Sequence, residues 1–234
     1  STPLYSSAAS DVYKRQITNQ DFTKRAYVNS NEDIWHKSPA DGVERLYLER
    51  DDGGEYAIAT TIVRFDPGSK FEQHVHDGGE EFLVLDGVFS DEFGSYPKGT
   101  YVRNPKGSAH NPFSESGCML FVKLRQFQKH DNKSVSINTN EEPWLPGLVD
   151  GLSVMPLHNF NNEHTALVKW EPNTIFNPHQ HAGGEEILVL EGVFHDEFGQ
   201  YPKGSWIRTP HLSKHTPFTK EEGALIFVKT GHLK

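Results

Sequence analysis

Three histidines and a glutamate recur at matching spacing in both halves of this chain of 234 residues, and together they could hold a metal ion. In the first half, His74 and His76 are separated by one residue, Glu80 follows a Gly-Gly pair, and His110 lies farther along. Side chains alternate along a strand, so a His-x-His pair on a strand directs both imidazoles to one side. Neutral imidazoles and a carboxylate suit divalent first-row metals. The spacing therefore predicts a metal site.

The second half offers the same four residue types, namely His179, His181, Glu185 and His215. A lone histidine is more often a structural residue than a ligand, but here the whole set recurs while the residues between its members differ. Metal–nitrogen bonds of about 2.1 Å require the four groups to converge closely, which a closed antiparallel barrel can achieve. We therefore expect one divalent ion per half, with Fe, Zn, Mn and Ni left open as its identity.

Each half presents two adjacent glutamates, so the carboxylate ligand has two candidates. The pairs are Glu80-Glu81 and Glu185-Glu186. One member of each pair must face away from the ion, because successive side chains of a strand point to opposite faces. The preceding Gly-Gly turn resets the phase of this alternation, and spacing alone does not choose between the two.

The chain is an internal duplication. Residues 74–110 match residues 179–215 without a gap, at an offset of 179 − 74 = 105 residues. A repeat of this length indicates a duplicated domain rather than a solenoid. The predicted organisation is an adapter-derived or disordered tail at 1–16, a first domain at 17–130, a linker at 131–142 and a second domain at 143–234.

Short runs of apolar and β-branched residues, separated by Gly, Pro, Asn and Asp, fill both halves, as at residues 57–65 and 119–124. Such runs indicate strands, and their regular turns favour a sandwich or barrel over alternating strands and helices. The sequence therefore predicts an all-β protein.

The composition excludes some partners. The formal net charge is −9, and an acidic chain repels the phosphate backbone of nucleic acids. No apolar run approaches the roughly 20 residues that span a bilayer, which leaves a small-molecule substrate as the expected partner. The single cysteine, Cys118, cannot form an internal disulfide, so we expect a cytoplasmic protein with this thiol in its core.

The ligand sets lie within motifs that resemble those of the cupin superfamily. The first motif is matched by Gly68, His74, His76, Glu80 and Gly87, and the second by Gly99, Pro105, Gly107 and His110. The resemblance implies two tandem double-stranded β-helix, or jelly-roll, barrels. It also implies that the first glutamate of each pair is the ligand, and it leaves a homodimer open because cupins often pair through barrel edges.

The second half departs from these motifs at turn positions. Asn173 and Leu212 stand where the motifs have glycine, and Thr219 stands where they have asparagine. In the first half, Ser114 replaces that asparagine. These departures concern turns rather than ligands, so they put in question the backbone geometry of the second half and not its metal site.

More narrowly, Gly-Gly-Glu-Glu followed by Asp-Glu-Phe-Gly and Tyr-Pro-Lys-Gly resembles the ChrR-type cupins. That family includes the C-terminal domain of an anti-sigma factor that responds to singlet oxygen, and relatives similar to dioxygenases acting on acetylacetone or dihydroxyacetophenone. The anti-sigma proteins carry a separate N-terminal zinc domain with paired cysteines, which this sequence does not contain. Sigma-factor binding by that route is therefore not expected.

Four other repeated residues are candidates for the substrate pocket. Tyr101 and Arg103 align with Trp206 and Arg208, two residues apart on one predicted strand. They could line the pocket and hold an anionic or carbonyl substrate, or they could form a structural pair on the barrel.

Two further groups of polar residues receive structural interpretations. Asp91-Glu92 and Asp196-Glu197 precede Phe-Gly in each half, and a polar hairpin turn accounts for them. The histidines that have no counterpart in the first half are expected at the surface; they are His158, His164, His195 and His211.

Two functions fit these features. The leading hypothesis is a metal-dependent oxygenase, because four protein ligands on octahedral Fe(II) or Mn(II) leave two positions for O₂ and a small carbonyl, enol or hydroxyaryl ketone substrate. The alternative is a non-enzymatic metal-binding sensor, in which zinc with four protein ligands would be closed and structural. A sugar-binding or isomerising cupin is a third class that the ligands alone do not exclude.

Overall fold

The computed structural model of the protein describes residues 17–233, so the predicted tail at 1–16 lies outside the described residues. The chain divides into two compact units: unit 1 comprises residues 17–20 and 34–136, and unit 2 comprises residues 21–33 and 137–233. The only helix among the described residues is a single 3-10 turn at Gly54–Tyr56. The prediction of an all-β protein is confirmed. No helix in this part of the chain has the length and apolar character needed to cross a membrane.

The strands of both units are mostly short and follow one another in chain order. The first thirteen are β1 (Ala26–Asn29), β2 (His36–Lys37), β3 (Val43–Arg50), β4 (Ala59–Phe65), β5 (Ser69–Lys70), β6 (His74–Val75), β7 (Glu80–Asp91), β8 (Gly94–Pro97), β9 (Thr100–Asn104), β10 (Ala109–His110), β11 (Phe113–Ser114), β12 (Cys118–Leu124) and β13 (Val135–Asn138). The others are β14 (Leu145–Pro146), β15 (Leu152–Phe160), β16 (Glu163–Trp170), β17 (His179–Gln180), β18 (Glu185–Asp196), β19 (Gly199–Pro202), β20 (Ser205–Thr209), β21 (Lys214–His215) and β22 (Ala224–Thr230).

The main sheet has the same order in both units. It runs β13-β9-β7-β12-β4-β3-β2 in unit 1 and β1-β20-β18-β22-β16-β15-β14 in unit 2. The central strands pair antiparallel with their neighbours. Each unit also has a separate two-stranded ladder, β6 with β10 in unit 1 and β17 with β21 in unit 2. These ladders and the long strands β7 and β18 carry the predicted ligands.

Apolar side chains on one face of each main sheet form the core. Along β7, Phe82 and Val84 belong to the core of unit 1. Alternation gives Glu80 the same face, while Glu81 and Leu83 face the other way. Burying a large apolar side chain contributes about 1.5–3 kcal/mol, and a slip of one residue would move every side chain to the opposite face. The core residues therefore determine which glutamate faces inward.

Cys118 also belongs to the core of unit 1. Its burial raises the pKa of the thiol to about 11, so the thiol is protonated at neutral pH. The expectation that this cysteine is a core residue is confirmed.

The edge strand of each main sheet comes from the opposite half of the repeat. β1 (Ala26–Asn29) pairs with β20 in unit 2, and β13 (Val135–Asn138) pairs with β9 in unit 1. β9 and β20 are equivalent in the repeat, because 205 − 100 = 105. Residues 21–33, predicted in the first domain, thus fall in unit 2, and the predicted linker at 131–142 contains a strand. Both strands are only four residues long and partly exposed, so the sequence gives little indication of the sheet to which each belongs.

Two turns of unit 2 keep a left-handed backbone conformation although the motif glycine is replaced at each. Asn173 and Leu212 have φ angles of 58° and 61°, and their first-half counterparts Gly68 and Gly107 have φ angles of 80° and 88°. Left-handed backbone is uncommon for residues other than glycine, although asparagine tolerates it better than most. The departures from the motifs therefore leave the sign of φ unchanged at both turns.

We predict that Gly87→Ala destabilises unit 1. Gly87 has a φ of 70°, and a Cβ there would lie 2.1 Å from the carbonyl oxygen of Gly117. Strained backbone and a backbone clash together should remove about 2 kcal/mol or more of the free energy of unfolding. Gly94→Ala is the matched control, because a Cβ at Gly94 meets nothing within 4 Å, and it should change the stability by under about 0.5 kcal/mol. Guanidinium denaturation followed by circular dichroism compares the two, and equal midpoints would contradict the prediction.

Candidate metal centres

The first centre lies where β6, β10 and the start of β7 meet. His74 and His110 are direct partners in the β6–β10 ladder, His76 follows β6, and Glu80 opens β7. The three imidazole ring centroids are 4.7 to 5.1 Å apart, and one ligand atom from each residue lies within 4.8 Å of the others. Two ligands of one ion are at most about 4.2 Å apart when each bond is about 2.1 Å long. An ion would therefore draw these four groups only slightly closer.

The second centre is built in the same way in unit 2. His179 and His215 are partners in the β17–β21 ladder, His181 follows β17, and Glu185 opens β18. The Nε2 atom of His179 is 2.9 Å from that of His181 and 3.2 Å from that of His215. One ligand atom from each of the four residues again lies within 4.8 Å of the others. The structure thus brings together, in two groups, all eight residues that the sequence singled out.

Buried ligand atoms in both centres lack hydrogen-bond partners. They are Nε2 of His76 and of His110, and Oε2 of Glu185, for which no partner exists among the described residues. A buried polar atom left without a partner costs about 1–3 kcal/mol, and a bound cation would remove that cost at all three. Imidazole and carboxylate form a donor set for divalent metals, so the residues of both centres fit such an ion.

The surroundings act differently on different ligands: despite burial, the carboxylates beside His110 and His215 raise the pKa of these two imidazoles, whereas the other shifts favour the forms that bind a cation. Burial lowers the pKa of His76 and that of His179, which favours the neutral imidazole at neutral pH. Burial opposes the ionisation of Glu185, but the hydrogen bond with His181 and the nearby imidazoles lower the pKa of this carboxyl overall. Neutral imidazole and ionised carboxylate are the forms that coordinate metals.

A carboxylate behind His110 holds its ring in place. Nδ1 of His110 donates to Oδ2 of Asp91 at 3.0 Å, which leaves Nε2 facing the centre. Oδ1 of Asp91 accepts the backbone N–H groups of Phe93 and Gly94, so the predicted hairpin turn is confirmed. Burial opposes the ionisation of Asp91, but the hydrogen bonds from His110 and from the turn lower its pKa. The sequence interpretation missed this second role, because the turn alone accounted for the aspartate.

The equivalent contact in unit 2 is longer and has an additional partner. Oδ2 of Asp196 lies 3.8 Å from Nδ1 of His215, beyond hydrogen-bond distance, and accepts from Nη2 of Arg25 at 2.8 Å. Arg25 also donates to the hydroxyl of Tyr201. Ser134 holds the place of Arg25 in unit 1, because 134 − 25 = 109, the offset that also relates β1 to β13. The two centres therefore differ in the support of one ligand.

The alternation of side chains along a strand places the two glutamates of each pair on opposite faces of the sheet. In unit 1, Glu80 belongs to the centre and accepts from Nδ2 of Asn104 at 3.3 Å. Glu81 lies on the other face of β7, where it accepts from the hydroxyl of Tyr101 at 2.9 Å and from Nη1 of Arg103 at 2.6 Å. Both partners are fully buried on that face and neither lines the cavity of this unit. Of the two roles left open for Tyr101 and Arg103, these contacts favour the structural pair on the barrel over the pocket.

Unit 2 repeats this separation. Nε1 of Trp206 donates to Oε1 of Glu186 at 2.7 Å, and Arg208 donates to the backbone oxygens of Asp21 and Lys24. Trp206 and Arg208 are buried on the face that Glu186 occupies, opposite the metal ligand. Their position on this face favours the structural alternative for Trp206 and Arg208 as well.

The first centre opens on a cavity of about 460 Å³. The wall contains the four ligands and is otherwise largely apolar, with Val63, Phe65, Phe71, Phe89, Leu120 and Val122 among its residues. On the other side of His76 and His110, a second cavity of about 420 Å³ reaches Asp91, Tyr96 and Ser134. The first centre is therefore open to small molecules from within its own unit.

Two histidines that we expected at the surface are buried. His158 and His195 are each 4% exposed, and His195 stacks on the ring of Phe218 with centroids 5.1 Å apart. His164 and His211 are exposed, as expected. The lack of a counterpart in the first half is therefore no guide to exposure, because the two repeats bury different side chains at these places.

Comparison with protein families identifies the chain. A family model described as the ChrR cupin-like domain matches residues 23–128 and again residues 132–234. The chain belongs to the ChrR cupin-like family. Two matches in one chain confirm the prediction of a duplicated cupin with two tandem barrels. A search of curated protein sequences finds no match.

Solved cupin structures share this fold over most of their length. A proposed dioxygenase from Nostoc punctiforme has a TM-score of 0.75 at 15% identity, over 89% of this chain and 82% of that chain. The protein YlbA from E. coli has a TM-score of 0.70 at 14% identity, over 96% and 97% of the two chains. Oxalate decarboxylase from Bacillus subtilis, whose Mn(II) centres have been characterised, has a TM-score of 0.60 at 13% identity, over 100% and 85%. At these identities the likeness shows the fold alone.

We predict that the chain binds two divalent ions and that each centre can be removed separately. His76→Ala and His181→Ala should each lower the metal content by about one equivalent, because a centre that has lost one of its four ligands binds the ion more weakly and should release it during desalting. His164→Ala is the control, since this exposed imidazole bonds Asn159 and belongs to neither centre. Elemental analysis after loading with Zn(II) and desalting gives the content, and an unchanged ratio in either ligand variant would count against that centre.

We further predict that Asp91→Asn weakens the first centre more than Asp196→Asn weakens the second. An asparagine cannot replace the charged acceptor of His110, and loss of such support typically lowers metal affinity about 10- to 100-fold. The longer contact of Asp196 with His215 should make its effect smaller. Chelator competition measures each affinity in a chain whose other centre is disabled by His181→Ala or His76→Ala. Equal losses would show that the two aspartates support their ligands equally.

Proposed function

We propose that the protein is a metal-dependent oxygenase that acts on a small carbonyl, enol or hydroxyaryl ketone substrate. The observation that carries this proposal is the opening of the first ligand cluster on a largely apolar cavity of about 460 Å³. Substrate pockets are typically concave, apolar and of this size, with a few polar groups at fixed positions. A divalent ion bound there supplies a Lewis acid that polarises a substrate oxygen.

The residues of the chain would hold the substrate and exclude water. Phe65, Phe71 and Phe89 pack edge to face, with centroids 5.6 and 5.7 Å apart, and all three line the cavity. An apolar or aromatic body fits against such rings better than water does. At the ligand end of the cavity, Asp91 orients His110 and Asn104 donates to Glu80, so hydrogen bonds position two of the four ligands.

The similar structures support this proposal without deciding the substrate. One is described as a proposed dioxygenase and another as an oxalate decarboxylase with Mn(II) centres. Iron and manganese are therefore the first metals to test in this chain, although zinc and nickel remain candidates for the same ligands. A small-molecule substrate is part of the proposal, while cytoplasmic location and a homodimer stay predictions.

A metal-binding sensor is the second candidate. The family model takes its description from ChrR, and in unit 2 the carboxylate of Glu185 lies 3.2 Å from His181 and 3.3 Å from His215. Four protein ligands packed this closely suit tetrahedral zinc, which then has no open position. Tight zinc in both centres, without an exchangeable water, would favour the sensor over the oxygenase.

We predict O₂ consumption by protein that has been freed of metal and reloaded with Fe(II) without oxygen. Uptake at an oxygen electrode should begin when a β-diketone or a hydroxyaryl ketone is added, because the cavity then places the substrate beside the metal. His76→Ala should lose most of this uptake, and His164→Ala should keep it. Absence of uptake with Fe, Mn, Ni and Zn across a broad panel of such compounds would reject the oxygenase.

A further inference from the structure

One arginine of the first cavity is held by an aromatic ring rather than by a carboxylate. Arg45 lies half-buried on β3, and its side chain forms part of the cavity wall. Its guanidinium carbon is 5.5 Å from the centre of the Phe71 ring. Phe71 in turn contacts the ligand His74, with ring centroids 6.1 Å apart. Stacking of this kind positions a guanidinium group but leaves its N–H donors for another partner.

No group among residues 17–233 uses those donors, because Arg45 forms no hydrogen bond or ion pair through its side chain with any of them. The other arginine of the wall, Arg125, is already paired, with Nε 2.8 Å from Oδ1 of Asp77. Glu72 also lines the cavity, but it is exposed and is not paired with Arg45. The wall that carries the metal ligands therefore also carries an arginine that forms no ion pair with a described residue.

Unit 2 has the same ligands but none of these charges. The register of the sheet makes Val154 the equivalent of Arg45, because Arg45 pairs with Val63 and Val154 pairs with Val168. The same comparison, continued along the repeat, places Ala182 at the position of Asp77 and Gly231 at that of Arg125. Since unit 2 assembles the same four ligands with valine at this position, the ligand cluster itself does not call for a positive charge there.

We propose that the first cavity binds a substrate that carries a carboxylate, and that Arg45 is the residue that binds this carboxylate. A planar guanidinium group can bind a carboxylate through two parallel N–H···O hydrogen bonds, which fixes the orientation of the ligand. The apolar rings would contact the body of the molecule, and its carbonyl or hydroxyl end would face the ligand cluster. The second cluster has Val154 instead and does not bind this anion. The inference rests on the proposed function for what happens to the bound molecule.

The test compares two ligands that differ only in the carboxylate. They are 2′-hydroxyacetophenone, whose hydroxyl group is on the ring, and 4-acetyl-3-hydroxybenzoate, which carries its carboxylate at the end of the ring opposite the acetyl group. Titration calorimetry of the full chain loaded with Zn(II) measures binding without turnover. We expect the carboxylated ligand to bind at least about tenfold more tightly, as a charged hydrogen-bonded pair allows, with one molecule bound per chain.

Arg45→Met should remove this preference, because it keeps an unbranched side chain and removes the charge and the N–H donors. The affinity for 4-acetyl-3-hydroxybenzoate should fall at least about tenfold, while the affinity for 2′-hydroxyacetophenone and the metal content stay unchanged. Arg45→Lys should restore part of the preference. Lys70→Met removes one positive charge from an exposed position of the same unit and should leave both affinities unchanged.

The second centre provides a further control, because His181→Ala should leave binding of the carboxylated ligand unchanged. Equal affinities of the two ligands for the unmodified chain would overturn the proposal, as would two carboxylated molecules bound per chain. An equal loss of both affinities in Arg45→Met would also overturn it. Calorimetry is independent of O₂ uptake. If binding depends on Arg45 and no oxygen is consumed, the oxygenase is rejected while the carboxylate site remains.

Discussion

The alternation of side chains along β7 and β18 is the constraint on which both metal centres depend. On β7, Glu80 and Glu81 are 9% and 2% exposed, so the fold buries two adjacent carboxylates on opposite faces of one sheet. Burying a charge is costly unless a partner compensates it. Arg103 compensates Glu81. Glu80 has imidazoles and an amide as its neighbours, and no arginine or lysine pairs with it among the described residues. A bound metal cation would balance its charge, and the three imidazoles that surround it would provide the other ligands.

The duplication has kept the ligands and changed what surrounds them. Both centres have three histidines and one glutamate in the same places on the sheet, yet Arg25 supports the second where Ser134 stands in the first. Arg45 lines the first cavity where the second unit has Val154. The ligands must converge on one point, so their positions are closely constrained. Residues beside the ligands, such as Arg45 and its counterpart Val154, differ in charge while the fold stays the same. The two centres of this chain therefore share their candidate ligands and differ in the charged residues around them.

The sequence predicted the ligands because a repeated pattern of residue types is independent of the details of the turns. It did not choose between Glu80 and Glu81, because the next four residues are all apolar and read as buried on both faces. The same limit applies to Tyr101 and Arg103, since a sequence shows that two residues share a face but not which face it is. Nothing in the sequence singled out Arg45 as a cavity residue, because it lies on a strand outside both motifs. Its position became visible only when the strands were paired.

The exchange of edge strands has a consequence for the history of the molecule. With this topology, a polypeptide that carried only one copy of the repeat would lack the outermost strand of its sheet unless a second copy supplied it. Such a polypeptide would leave an unpaired edge, which favours association with another chain. Fusion of the two copies turns an association between molecules into an intramolecular one, independent of concentration. Once fused, the copies no longer needed to be identical, and one of them could lose the charges that the other retained.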